Sequence, residues 1–280
     1  MEAEKRYLPD PNQLGVVTAT VLLTYALTRL VNVPGINVSI QLPGFYFAYR
    51  LTIGTAMTLM AAGLTASDMD WLLRTHPSFH SLPTSKIMQS ERTLEHWLLP
   101  ALTAFIIGVL LDILPTGQLW WVGFTFGSLI LISVFMAEYI AVDTAAPLYA
   151  LASAGLTALS YALFLLFIIA LRLGGARLFL IVPAVFFAAG LVTLRTLHLR
   201  LGNRWEFHWA FGIGLISAQL AAGLHYWPLT TLQYGLILLG PLYALTELAT
   251  NLGEDVPLRN AMTEPGVILG ALWVASIFLH

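Results

Sequence analysis

Residues Leu148–Leu171 read LYALASAGLTALSYALFLLFIIAL, twenty-four positions without a charge. A hydrocarbon layer is crossed by about 20 apolar helical residues, so this stretch is predicted to be a transmembrane helix. Segments of the same character occupy Leu14–Val33, Phe45–Leu64, Leu94–Leu114, Leu119–Val142, Leu178–Leu197, Phe207–Trp227 and Leu229–Ala249. A shorter one, Pro265–Leu279, follows near the C-terminal end. The expected fold is therefore an all-α, polytopic transmembrane helix bundle of eight or nine spans joined by short loops. It forms a single integral membrane domain over 1–280, with a cytoplasmic tail at 1–13 and a longer cytoplasmic loop at 65–93. In that loop Ser67 and Asp70 have the spacing of a capping box, which would open a short interfacial helix carrying Trp71, Leu72 and Arg74.

Composition supports this reading. The chain is 58% hydrophobic and 10% charged, with a mean hydropathy of +0.79. Soluble proteins carry about 25% charged residues, and such a deficit leaves too little polar surface to face water. Membrane lipids are the expected partners. The net charge of −2, with no basic run, gives nucleic acid nothing to bind. Absence of Cys removes disulfides, thiolate metal sites and thiol nucleophiles together. Neither a phosphate-loop nor a dinucleotide-binding glycine motif occurs, and no cofactor is implied.

The basic residues orient the spans. With nine spans, Lys5, Arg6, Arg74, Lys86, Arg92, Arg195, Arg200, Arg204 and Arg259 fall on the N-terminal side, against Arg29, Arg50, Arg172 and Arg177 opposite. Nine against four places the N-terminus in the cytoplasm. Two Lys against eleven Arg matches the codon bias of a GC-rich bacterium, so the expected location is the bacterial inner membrane.

Ionisable groups inside a bilayer are costly and mark function by default. Here they cluster at span ends. Glu95, His96, Glu138, Asp143, Arg195, His198, Glu206, His208 and Glu247 all fall on the cytoplasmic side and form the candidate polar cluster. Carboxylates and imidazoles in one place suit a divalent metal or a lipid phosphate, yet no metal-binding spacing is present and no metal is assigned. His76 and His80 are four apart, but Pro77 interrupts a helix there. On the outer side Asp112 stands in an apolar run, Val109–Leu114, and is expected to pair with Arg50. The midplane holds neutral groups such as Ser133, Ser160, Ser217 and Gln219, a poor path for protons.

Small residues at four-residue spacing let helix backbones approach closely. Such rows are Ala150, Ala154, Ala158 and Ala162, then Ala210, Gly214, Ala218 and Ala222, with shorter pairs at Gly123/Gly127 and Gly266/Gly270. The last pair, on a terminal helix, is the expected docking face for a partner helix. Pro183 and Gly240-Pro241 interrupt two spans. Paired broken helices mark some transporter sites, and they are also ordinary kinks. No motif defines a reaction. The leading functional expectation is a structural or accessory membrane protein. The rivals are a small-solute or lipid transporter, and an enzyme acting on lipid head groups at the cytoplasmic face.

Overall fold

The computed structural model describes residues 8–30, 36–42, 45–76, 86–144, 146–202 and 204–279. Internal packing gathers the chain into two compact units, 1–152 and 153–280. The first holds α1 (Pro11–Leu30), a hairpin of β1 (Ile36–Leu42) and β2 (Phe45–Leu51), α2 (Ile53–Arg74), α3 (Lys86–Ile113) and α4 (Gln118–Ala141). The boundary falls within α5 (Tyr149–Leu173). The second unit continues with α6 (Leu178–Arg200), α7 (Phe207–Leu224), α8 (Thr231–Gly253), α9 (Leu258–Ala261) and α10 (Thr263–Phe278).

Among the described residues seven helices are long and apolar enough to cross a membrane, not eight or nine. They are α3 from Glu95, α4, α5, α6, α7, α8 and the run through α9 and α10 at 258–278. The first two expected spans drop out for identifiable reasons. The second loses its opening residues to the hairpin, where Phe45–Leu51 pairs antiparallel with Ile36–Leu42 from Ile36↔Leu51 to Leu42↔Phe45. Period-two alternation marks Ile36–Leu42 as extended; the aromatic run Phe45–Tyr49 favours the strand beside it. What remains in α2 carries three threonines with Asp68, Asp70 and Arg74, and α1 opens on Pro11-Asn12-Gln13 and carries four threonines.

Helix α2 also absorbs the start of the expected cytoplasmic loop. Its true cap is Thr52, whose hydroxyl accepts from the Thr55 amide while Thr55 Oγ1 accepts from the Thr52 amide. From there it runs unbroken to Arg74, so Ser67 is interior and opens no new helix. Nothing between Ala61 and Arg74 interrupts it, and the buried stripe Thr58, Ala61, Thr65, Met69 and Leu72 keeps helical period throughout. The last eight residues of the expected loop are the first turns of α3, and 77–85 lie outside the described residues.

In the first unit Val17, Val21 and Tyr25 of α1 pack with Met69, Leu72 and Leu73 of α2, with Ala104, Ile107 and Leu111 of α3 and with Leu131 and Phe135 of α4. Tyr25 donates to the Ala104 carbonyl at 2.5 Å. Four threonines of α1 and α2 need no water. Thr24, Thr28, Thr58 and Thr65 each donate to the carbonyl three or four residues back, at 2.6–3.0 Å. Gly127 of α4 admits Ile107, and Gly108 of α3 admits Thr58.

In the second unit α7 presents Ala210, Gly214 and Ala218 to its neighbours, and all three are buried. A side chain on Gly214 would meet the Phe186 carbonyl oxygen of α6 at 2.8 Å. The alanine row of α5 behaves differently. Ala150, Ala154, Ala158 and Ala162 are exposed, while Leu156, Ser160, Phe164 and Phe167 carry the buried face. Helices α6 and α8 run continuously through Pro183 and Pro241. Proline at 241 cannot donate to the carbonyl of Ile237, four residues earlier. That oxygen instead accepts from Trp273 Nε1 of α10 at 3.3 Å. Neither proline breaks its helix.

Gly214→Val should cost ~1–3 kcal/mol, because the obstacle is backbone and cannot swing away. Thermal melting in detergent measures it, and an unchanged melting temperature would show that α6 and α7 do not approach through Gly214.

Candidate functional site

Three helix ends of the first unit bring titratable groups together. Helix α3 supplies Glu95 and His96, α4 supplies Glu138 and Tyr139, and Asp143 follows α4 by two residues. His96 Nδ1 and Glu138 Oε2 lie 2.7 Å apart. The Glu138 side chain is fully shielded from solvent, and that of His96 is 10% exposed. A carboxylate so buried is stable as an anion only with a hydrogen-bonded or charged partner, and the imidazole provides it. Glu95 is also buried.

His76, just beyond α2, joins this group. Only 3% of it is exposed, and its ring meets Tyr139 edge-on with centroids 4.5 Å apart. Burial pushes its pKa below the ordinary histidine value; Asp143 opposes that shift and His96 adds to it. Sequence spacing did not find His76, since it was weighed as a helical partner of His80. The usable signal was that α2 has no breaker before Pro77, which delivers His76 to the helix end. His80 lies outside the described residues.

The second unit holds the other five candidates, at the end of α6 and beside it. Arg195 and His198 are each about 1% exposed. His198 stacks on Trp205 at 4.4 Å, and Trp205 stacks in turn on Phe207 at 5.7 Å. Arg200 donates to Glu247 of α8 at 2.9 Å, and one turn deeper Thr193 and Thr246 hydrogen bond at 3.1 Å. Glu206 and His208 form a separate pair at 3.3 Å, with the His208 side chain 72% exposed. Of the nine candidates, four thus belong to the first unit and five to the second. Among the described residues no three acid, imidazole or thiol groups are placed to hold a metal ion.

On the opposite end of the first unit, Asp112 lies against Gly54, where any side chain would overlap its carboxylate. Gly54 is in the first turn of α2, the positive end of that helix, which favours an anion. Arg50, its expected partner, is on β2 with its side chain outside what the structure describes.

The fold defines a class: a multi-helix protein with seven helices of membrane-crossing length and apolarity. A family model described as "Protein of unknown function (DUF5656)" matches residues 33–279, and the chain belongs to that family. No curated protein and no solved structure matches it.

The lowered pKa of His76 has a sign. The unfolded chain binds a proton near the ordinary value of about 6.5, whereas the folded protein resists it. The contribution of His76 is therefore complete above that value and lost as pH falls below it. Melting between pH 7.5 and 5 should show a fall in stability that is shallower in His76→Gln. Equal slopes would show that His76 is solvated.

Proposed function

We propose that this is a multi-pass protein of the bacterial inner membrane, structural or accessory in role, with its N-terminal side in the cytoplasm. The exposed apolar side chains support the membrane setting. Trp121, Val122 and Phe126 on α4 of the first unit, and Phe187 on α6, Phe211 on α7 and Val267 on α10 of the second, are each more than half exposed, so both units present large apolar side chains outward. The excess of Lys and Arg on the N-terminal side supports the orientation: nine to four if α1 and α2 cross, eleven to two if only the seven helices do.

The observation that carries the structural role is the His96–Glu138 pair, buried between α3 and α4 at 2.7 Å. Titratable groups here are engaged with one another: His96 of α3 with Glu138 of α4, and Arg200 of α6 with Glu247 of α8. These two pairs tie neighbouring helices, while Asp70 and Arg74, 2.7 Å apart, brace the last turn of α2 itself. Transport gains no support from the prolines, because α6 and α8 are continuous. Gly266 and Gly270 of α10 have no atom within 4 Å of where a side chain would stand. This open strip suits a partner helix.

One feature favours the enzyme reading: an imidazole bonded to a buried carboxylate is also how a general base is oriented. Stability separates the two. In a structural pair, Glu138→Ala and His96→Ala each lower stability by ~3–5 kcal/mol, since each strands a buried polar partner. Both variants as stable as the parent in detergent would overturn the structural reading and return His96 to the candidates for chemistry.

A further inference from the structure

A groove of about 630 Å³ opens at the other end of the second unit's helices. It is lined by Phe179, Val182 and Pro183 of α6, by Arg177 just before that helix, and by His225 and Tyr226 just after α7. Its volume falls in the ~300–1,000 Å³ range of small-molecule sites. Arg177 and Arg195 are 18 residues apart, roughly 27 Å along one helix at 1.5 Å per residue. The groove and the buried polar end of α6 are thus separate places.

The two arginines near this groove have different fates. Arg172 of α5 is used by the fold: it donates to the His225 carbonyl at 2.8 Å and lies over the Tyr234 ring at 4.9 Å. Arg177 is exposed and forms no ion pair among the described residues. Helix α6 begins there without a side-chain cap, so the positive end of the helix adds to the guanidinium charge. His225 Nδ1 is shielded from solvent and has no hydrogen-bond partner among the described residues. Burial and the nearby Arg172 lower the His225 pKa, so its imidazole is neutral at pH 7 and Arg177 supplies the charge.

Tyr226 and Trp227 stand 80% and 60% exposed beside the groove. Aromatic rings of this kind favour the headgroup layer of a bilayer, with α6 descending from it into hydrocarbon. A positive, hydrogen-bonding rim thus sits at headgroup depth above an apolar wall. We propose that the groove binds an anionic phospholipid, with one acyl chain against Phe179, Val182 and Pro183 and the phosphate held by Arg177 and His225. The inference rests on the membrane setting proposed above and is independent of the structural role of the polar pairs.

Native mass spectrometry of the full-length protein tests it. The detergent-solubilised protein is mixed with equal amounts of phosphatidylglycerol and phosphatidylcholine of the same chains. The parent should carry phosphatidylglycerol in preference by roughly fivefold, the worth of one basic side chain near a headgroup. Arg177→Gln, an exposed change that leaves packing intact, should bring that ratio close to one. Val182→Trp should fill the groove and remove the preferred adduct. Equal adducts in the parent, or an unchanged preference in Arg177→Gln, would overturn the site while leaving the membrane setting standing. Displacement of the lipid by millimolar inorganic phosphate would overturn it in favour of a headgroup-only anion site. Failure to retain either lipid would count against the membrane setting itself.

Discussion

A polar group shielded from water is stable when it finds a partner within the protein. The clearest instance is the carbonyl of Ile237. Pro241 deprives it of its helical donor, and Trp273 supplies another from a different helix. A missing donor that would be a defect in isolation becomes a fastening between α8 and α10, beside Gly240, where Leu269 and Trp273 pack closely. The same constraint governs the hydroxyls of Thr24, Thr28, Thr58 and Thr65 in α1 and α2, which turn back on their own helices. It governs Tyr234, whose hydroxyl donates to the Ala221 carbonyl at 2.9 Å, and Arg172, which satisfies the carbonyl at the end of α7.

Seen this way, the helix-end clusters are where the constraint is most severe. Glu138 has no solvent at all, and it is held by an imidazole from the adjacent helix. Glu247 is nearly as buried and is met by Arg200. Each pair costs desolvation and regains it only in good geometry. Such pairs specify which helix lies beside which, information that a uniformly apolar surface cannot carry.

The same uniformity explains what the sequence did and did not disclose. Length and apolarity alone located α3 to α8 and the final helix, because a long, mostly uncharged run stands out in a linear sequence. Facing was harder. On α5 the alanine row and the Leu156, Ser160, Phe164 row have the same four-residue spacing, and only packing shows that the larger residues point inward. On α7 the small-residue row is indeed the buried one, because α6 comes close enough to need Gly214. The hairpin was half legible: Ile36–Leu42 alternates, whereas Phe45–Leu51 is apolar but for Arg50 and reads equally well as the start of a span. In the polar cluster, Glu95, His96, Glu138 and Asp143 were found as span ends. His76 was missed because it was weighed only as a partner of His80. The division of the nine candidates between two units has no signature in a linear chain.

The central claim is that buried polar pairs hold the helix ends together, and a double-substitution cycle on His96 and Glu138 tests it most directly. The stabilities of His96→Leu, Glu138→Leu and the double variant are compared with the parent in one detergent. If the pair is structural, each single change strands its partner and the double change recovers most of the loss, because two apolar side chains fill the site without a lone polar group. If the two losses simply add, the residues act independently and the account of the helix ends is wrong.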